Sequence, residues 1–144
     1  NHDAEALLID PNTQDLYIII KDGNSPTIYK LPADELQQQG VLTLQKCGNV
    51  EIEIDNALAL ITAGEIGANG LEILIKTYGK VYFWERDNLQ TTICELLRST
   101  PKILKYTPEP QGEAIAFTPD QDGYYTLSEE KFARTPLLLF YPRE

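Results

Sequence analysis

The sequence predicts an all-β protein built from successive small antiparallel sheets. Short runs of Ile, Leu, Val, Tyr and Phe recur along the chain, and these residues suit a half-buried pleated surface. Turn residues separate the runs, as at Pro11-Asn12, Asn69-Gly70 and Pro119-Asp120. A segment near the start also matches one near the end, so we treat an internal repeat as the organising feature.

The repeat joins two segments of the chain at one constant spacing. The matched pairs Glu5 and Glu113, Pro11 and Pro119, and Tyr17 and Tyr125 are each 108 residues apart. The match continues, with an insertion of two residues, from 26–32 to 136–142. A more diverged copy lies between them, with strands predicted at 61–66, 72–77 and 80–85. Each copy therefore predicts three consecutive strands joined by turns.

A helix and a fourth strand are predicted to follow the third strand of the first two copies. We expect helices at 33–39 and 87–100, the second because Leu89, Ile93, Leu96 and Leu97 would form one apolar face between a polar cap and Pro101. Fourth strands are expected at 41–46 and 103–107. The units then span about 1–48, 57–108 and 111–144, the last being incomplete.

Tandem four-stranded units of this length predict a β-propeller, in which sheets called blades surround a central channel. The continuous apolar run at 81–84 fits a strand that is covered on both faces. Propellers close with roughly four to eight blades. We therefore expect a fragment completed by the remaining blades of a longer protein; the alternative is that a second copy of the chain completes the ring.

The net charge of the chain limits the classes of binding partner that we expect. Acidic residues outnumber basic ones by 22 to 12, and the formal net charge is -10. Such a chain repels phosphate backbones and anionic membranes, so nucleic acid is not an expected partner. No apolar run reaches the roughly 18 residues of a membrane helix, so no membrane insertion is expected. Metal cations or basic partners suit this charge better.

Cys47 and Cys94 are the only cysteines. Neither has a second ligand at short spacing, so they do not form a zinc motif. Two buried free thiols are one interpretation. A disulfide is the alternative, and it would suit an exported protein, so a periplasmic or secreted location is favoured.

The candidate site lies at the start of the first strand of each unit, which would line the channel. Glu5 and Glu113 hold this place, and Asp3 lies just upstream of Glu5. Carboxylates from neighbouring blades could contribute to a calcium site, which needs roughly six to eight oxygen ligands. Alternatively, both glutamates are structural and accept backbone N–H groups from adjacent blades.

Two further residues are candidates for this site, Glu65 and His2. Aligning the middle unit on its turn places Thr62 opposite the two glutamates, so Glu65 joins the metal set only if the middle strand starts differently. His2 is the only histidine, which excludes a multi-histidine zinc site. As a general base it would need a carboxylate or substrate nearby, and otherwise it has no role.

The segments 3–7, 112–120 and 123–129 resemble six-bladed propellers of the phytase-like, NHL-like and paraoxonase- or gluconolactonase-like group. They are also similar to bacterial propeller proteins of unassigned function. The resemblance implies that the chain is about half of a six-bladed ring, and specifically the C-terminal half. Some of these families hold calcium and hydrolyse lactones or phosphate esters, whereas others only bind partners.

The functional prediction is a propeller-type binding or scaffold module, with calcium as the expected ion at the channel. It rests on carboxylates that open two blade strands in an acidic chain without a catalytic constellation. The alternative is a calcium-dependent hydrolase in which Glu5 and Glu113 bind the metal and the missing blades share the chemistry.

Overall fold

The computed structural model describes residues 3–21, 25–52, 54, 56–129 and 135–143, without the side chain of Asp3. His2 lies outside these residues, so its role stays a prediction. In the described chain, eleven strands form three antiparallel sheets, and helix is almost absent. The all-β prediction is confirmed.

Strands that follow one another in the chain are neighbours in each sheet. Sheet 1 contains β1 (Asp3–Ile9), β2 (Leu16–Lys21), β3 (Thr27–Leu31) and β4 (Gln45–Asn49). Sheet 2 contains β5 (Ile61–Ile66), β6 (Glu72–Thr77), β7 (Val81–Glu85) and β8 (Lys102–Leu104). Sheet 3 contains β9 (Gly112–Phe117), β10 (Gly123–Ser128) and β11 (Leu138–Pro142).

The sheets stack through their first strands, since β1 packs on β5 and β5 packs on β9. One core lies between sheets 1 and 2, and includes Leu8, Ile19, Ile73, Ile75 and Trp84. The other lies between sheets 2 and 3, and includes Leu74, Val81, Phe83, Tyr124 and Tyr141. Sheet 2 is therefore covered on both faces, and the continuous apolar run at 81–84 is buried as its sequence predicts.

A close approach at Gly64 joins sheets 1 and 2. A Cβ atom added to Gly64 would lie 3.0 Å from Leu8 Cδ2 and 3.1 Å from the carbonyl oxygen of Leu74. Only glycine leaves the space that β1 needs to reach β5 without displacing these atoms.

Helix is shorter than the sequence predicts. Instead of a helix at 87–100, helix α1 spans only Ile93–Leu96, because the capping box of Thr92 and Glu95 fixes its start. Upstream, the Asn88 side chain accepts the N–H of Gln90 in a tight turn that replaces helical bonding.

The segment 33–39 forms successive turns. Its backbone bonds join residues three apart, such as Glu35 N–H to the oxygen of Pro32. Leu36 is 38% exposed, so this segment has no buried apolar side on which a helix could be packed.

The fourth strands and the disulfide fix the outer part of sheets 1 and 2. β4 and β8 begin within four residues of the predicted starts, at Gln45 and Lys102. Cys47 of β4 is bonded to Cys94 of α1, so the disulfide interpretation holds and the free-thiol interpretation is wrong. Beside it, Trp84 Nε1 donates a hydrogen bond to the oxygen of Ser99 at 2.8 Å.

Polar contacts join the sheets at the end that carries the β1–β2, β5–β6 and β9–β10 turns. The Arg86 guanidinium lies 3.2 Å from the Asp10 carboxylate, and both side chains are buried. It also donates to the oxygens of Gly70 and Thr91. Between sheets 2 and 3, Gln121 donates to the buried carboxylate of Glu72. These contacts hold the three sheets together at this end.

Candidate functional site

All three first strands carry a β-bulge at the same position. In sheet 1, the pairing shifts between Ala4 and Ala6, so the extra residue is Glu5. The corresponding shifts leave Thr62 as the extra residue in sheet 2 and Glu113 in sheet 3. Bulges redirect a side chain relative to the regular strand. We call the end of the stack where Glu5, Thr62 and Glu113 lie the bulge end.

The side chains of the bulge end interact across sheets 2 and 3. Thr62 Oγ1 donates a hydrogen bond to the oxygen of Gly112 at 3.0 Å. The hydroxyl of Tyr78, in the β6–β7 turn, donates to Glu113 Oε1 at 2.9 Å. Gln111 Nε2 donates to the same carboxylate oxygen at 3.3 Å. Glu113 is thus held by two donors while its side chain remains half-buried.

The negative charges at the bulge end raise the pKa of Tyr78. Its pKa is raised to about 12 by the hydrogen bond to Glu113, by burial, and by the charges of Glu113, Glu5 and Glu129. The structure therefore brings Glu5 and Glu113 into one electrostatic neighbourhood, with Glu129 as an additional carboxylate. A group of carboxylates with a phenol and a backbone carbonyl favours a positively charged ligand.

Glu65 lies away from this neighbourhood. Its Oε2 accepts the backbone N–H of Phe117, so it joins β5 to β9. Burial raises the pKa of Glu65, and the bond to Phe117 opposes that shift. Glu65 thus accepts a backbone N–H group from the neighbouring sheet, which is the structural role expected as the alternative for Glu5 and Glu113. Asp3 pairs with Lys21 across sheet 1, and its side chain lies outside the description.

The described members of the metal set expected from the sequence, Glu5, Glu65 and Glu113, are not assembled as a group. Among the described side chains, no three His, Cys, Asp or Glu lie close enough together to hold one metal ion. Glu5 and Glu113 both influence Tyr78, but they do not form such a group with Glu65. Calcium binding at the bulge end therefore stays a prediction.

Lys76, like Tyr78, is a polar residue near the site that the sequence did not predict. It pairs with Ala63, and the corresponding pairs are Ala6 with Ile19 and Ala114 with Leu127. Lys76 thus occupies a position where sheets 1 and 3 carry aliphatic side chains. It is fully buried, and its Nζ donates to the backbone oxygens of Thr77 and Gly112. A single lysine inside the apolar run of β6 was the signal available in the sequence.

The surroundings of Lys76 are partly charged. Burial lowers its pKa to about 8, and the carboxylates of Glu109 and Glu113 oppose that shift. Its Nζ lies 4.9 Å from the centre of the Tyr106 ring, a cation–π arrangement. Glu109 is 6% exposed, and its Oε2 has no hydrogen-bond partner within the described residues. This polar cluster lies directly behind the bulge end.

A separate cleft of about 260 Å³ opens between sheets 2 and 3, away from the bulge end. Phe83 and Tyr124 line it together with Lys102 and Arg143. Two of its three cations are already engaged, since Arg143 lies 2.5 Å from Glu72, and Lys102 lies 3.9 Å from Glu85. We therefore assign the candidate site to the bulge end, where polar groups recur at equivalent positions.

Compared with known proteins, the chain matches no family model, and no curated protein or solved structure is significantly similar to it. Within the described residues, no helix is both long enough and apolar enough to cross a membrane.

Proposed function

We propose that this chain is part of a propeller-type binding or scaffold module that receives a positively charged ligand at the bulge end. The observation that carries the proposal is the recurrence of one bulge, at Glu5, Thr62 and Glu113, in three first strands that pack side by side. In three unrelated hairpins, the bulged residue would not be expected at the same position of the first strand.

The propeller architecture is the arrangement that best explains this stacking. Each sheet is a chain-ordered antiparallel meander, and successive sheets meet through their first strands. In a propeller the first strands surround the axis, so the bulge end would form one mouth of the channel. Further blades or a second copy of the chain would complete the ring.

Charge favours a cationic ligand. The chain carries a formal net charge of -10, and three carboxylates act on Tyr78 at the bulge end. The ligand could therefore be recognised through its positive charge, as in an arginine or lysine side chain of a partner. Calcium is the more specific proposal. Glu5 and Glu113 could supply only part of the roughly six to eight oxygen ligands that the ion needs, so other groups would have to supply the rest.

Nuclear magnetic resonance provides the test, with ¹⁵N-labelled protein titrated separately with calcium chloride and with a tetra-arginine peptide. We expect the amide signals of Thr62, Tyr78 and Gly112 to shift with one of these probes and to shift much less in Glu113→Gln. Glu51→Gln, a change at an exposed glutamate, is the matched control and should respond like the wild type. Unchanged signals with both probes, or equal responses of the two variants, would overturn the proposal.

The hydrolase alternative can be separated by the same variants. A panel of lactones and phosphate esters would be assayed with and without calcium. Calcium-dependent turnover that is lost in Glu113→Gln and retained in Glu51→Gln would replace the binding proposal by the enzymatic one.

The compartment proposed for this module is extracytoplasmic, and the disulfide between Cys47 and Cys94 supports it. Disulfides form and persist mainly in oxidising compartments. Thiol titration of the protein isolated from its host should detect no free thiols, whereas two reactive thiols in the denatured protein would point to a reducing compartment.

A further inference from the structure

The outward face of sheet 3 is an exposed apolar surface. Within its strands, the side chains at alternating positions point away from sheet 2, and all of them are apolar: Ala114, Ala116, Tyr125, Leu127, Leu138 and Phe140. Leu138 is 65% exposed and Phe140 is 49% exposed. We call these six residues face A of sheet 3. Monomeric proteins rarely leave such a continuous apolar surface in water.

Most positions equivalent to face A are buried in the other two sheets. Sheet 1 carries Ala6, Leu8, Tyr17, Ile19 and Ile28 at five of these positions, and all five are buried against sheet 2. The sixth position, equivalent to Phe140, is held by the partly exposed Lys30, which is paired with Asp15. Sheet 2 carries Ala63, Leu74, Val81 and Phe83, which pack against sheet 3 together with the charged residues Glu65 and Lys76. Face A of a sheet is therefore a surface that this chain twice buries against the next sheet.

The opposite face of each sheet, which we call face B, is packed in sheet 3 and exposed in sheet 1. In sheet 3 it carries Ile115, Phe117 and Tyr124, which pack against sheet 2. In sheet 1 the equivalent positions are Leu7, Ile9 and Leu16, and nothing in the described chain covers the first two. Leu7 is 63% exposed and Ile9 is 58% exposed.

Within the part of the chain that the structure describes, one face A and one face B are thus exposed, at opposite ends of the stack. Both interfaces within the chain join a face A to a face B. We infer that face A of sheet 3 docks on face B of sheet 1 in a second copy of this chain. The contact continues the interface that already joins the sheets, and it does not depend on ligand binding at the bulge end.

Such a contact is heterologous, because two different surfaces meet. Heterologous contacts close into rings when the rotation allows it and otherwise continue as open assemblies. The named strand positions of face A carry no charge, so close approach of the two copies requires no desolvation of an ionised group there.

Sedimentation velocity of the 144-residue chain and of three variants provides the test. Phe140→Asp disables face A, and Leu7→Asp disables face B. Val41→Asp is the matched control, because Val41 is fully exposed and lies outside both faces. We expect the wild type and Val41→Asp to self-associate and the two face variants to sediment as monomers. Far-ultraviolet circular dichroism and Trp84 fluorescence would check that every variant is folded.

Mixing the two face variants makes the test specific for the geometry. Leu7→Asp retains face A and Phe140→Asp retains face B, so an equimolar mixture should form a one-to-one complex although each variant alone is monomeric. A monomeric wild type would overturn the inference. So would self-association of Leu7→Asp alone, because that would require face A to bind face A. Either result would leave the ligand titrations at the bulge end unaffected.

Discussion

The amine of Lys76 donates a hydrogen bond to the backbone oxygen of Gly112, which joins the second strand of sheet 2 to the first strand of sheet 3. The same oxygen accepts the hydroxyl of Thr62. A buried cation therefore holds the two sheets together immediately behind the bulge end. Its aliphatic equivalents, Ile19 and Leu127, show that the fold itself does not require a charge at this position.

Stability should depend on pH through Lys76. Its pKa is lowered from 10.5 in the unfolded chain to about 8 in the folded protein. Between these values the Lys76 amine binds more protons in the unfolded state, so the free energy of unfolding should rise between pH 8 and pH 9, by about 1 kcal/mol per pH unit. Above pH 9 the tyrosines with raised pKa values, such as Tyr78, oppose this rise, because they lose their protons first in the unfolded chain. Urea unfolding at several pH values measures this slope.

Lys76→Met should remove the slope, because methionine does not titrate. Lys102→Met is the control, since Lys102 is 74% exposed and its replacement should leave the slope unchanged. Equal slopes in the wild type and in Lys76→Met would show that Lys76 is not the titrating group.

Replacing Gly64 by alanine should destabilise the contact between sheets 1 and 2. The added Cβ would lie 3.0 Å from Leu8 Cδ2, and overpacking of this kind typically costs about 1–3 kcal/mol. Thermal unfolding measures the loss. In a Leu8→Ala background the same change should cost less, because the clashing methyl is gone. Strict additivity of the two changes would argue against a direct clash.

The buried pair of Asp10 and Arg86 should matter far more than the exposed pair of Lys102 and Glu85. Asp10→Asn leaves a buried guanidinium without its counter-charge, and we expect a loss of about 3 kcal/mol in chemical unfolding. Glu85→Gln disrupts an exposed pair and should cost below about 1 kcal/mol. Comparable losses would mean that the Gly70 and Thr91 carbonyls alone satisfy Arg86.

Reduction of the disulfide should lower the melting temperature. The bond closes a loop between residues 47 positions apart, and such a cross-link typically contributes about 2–4 kcal/mol by restricting the unfolded chain. Melting curves with and without dithiothreitol, followed by Trp84 fluorescence, provide the measurement. The double variant Cys47→Ser/Cys94→Ser should melt at the lower temperature in both conditions. A melting temperature unaffected by reductant in the wild type would contradict this prediction.

The sequence by itself determined the strand content and much of the alignment between sheets. Alternating and continuous apolar runs, separated by turn residues, were sufficient to predict the strands, because which faces of a strand are buried follows from the sequence of neighbouring residues. The constant spacing between the first and third units also placed Glu5 opposite Glu113, and the turn placed Thr62 with them. The shared bulge lies at these three positions.

Only the tertiary structure decided the role of each polar side chain and the extent of the helices. The Lys76 and Tyr78 interactions, and the contact of Glu65 with Phe117, join residues far apart in the chain, and local pattern carries no information on such distances. Helix α1 is short because the capping box of Thr92 and the side-chain turn at Asn88 outweigh the apolar periodicity. Pairing of Cys47 with Cys94 likewise depends on β4 and α1 meeting in space.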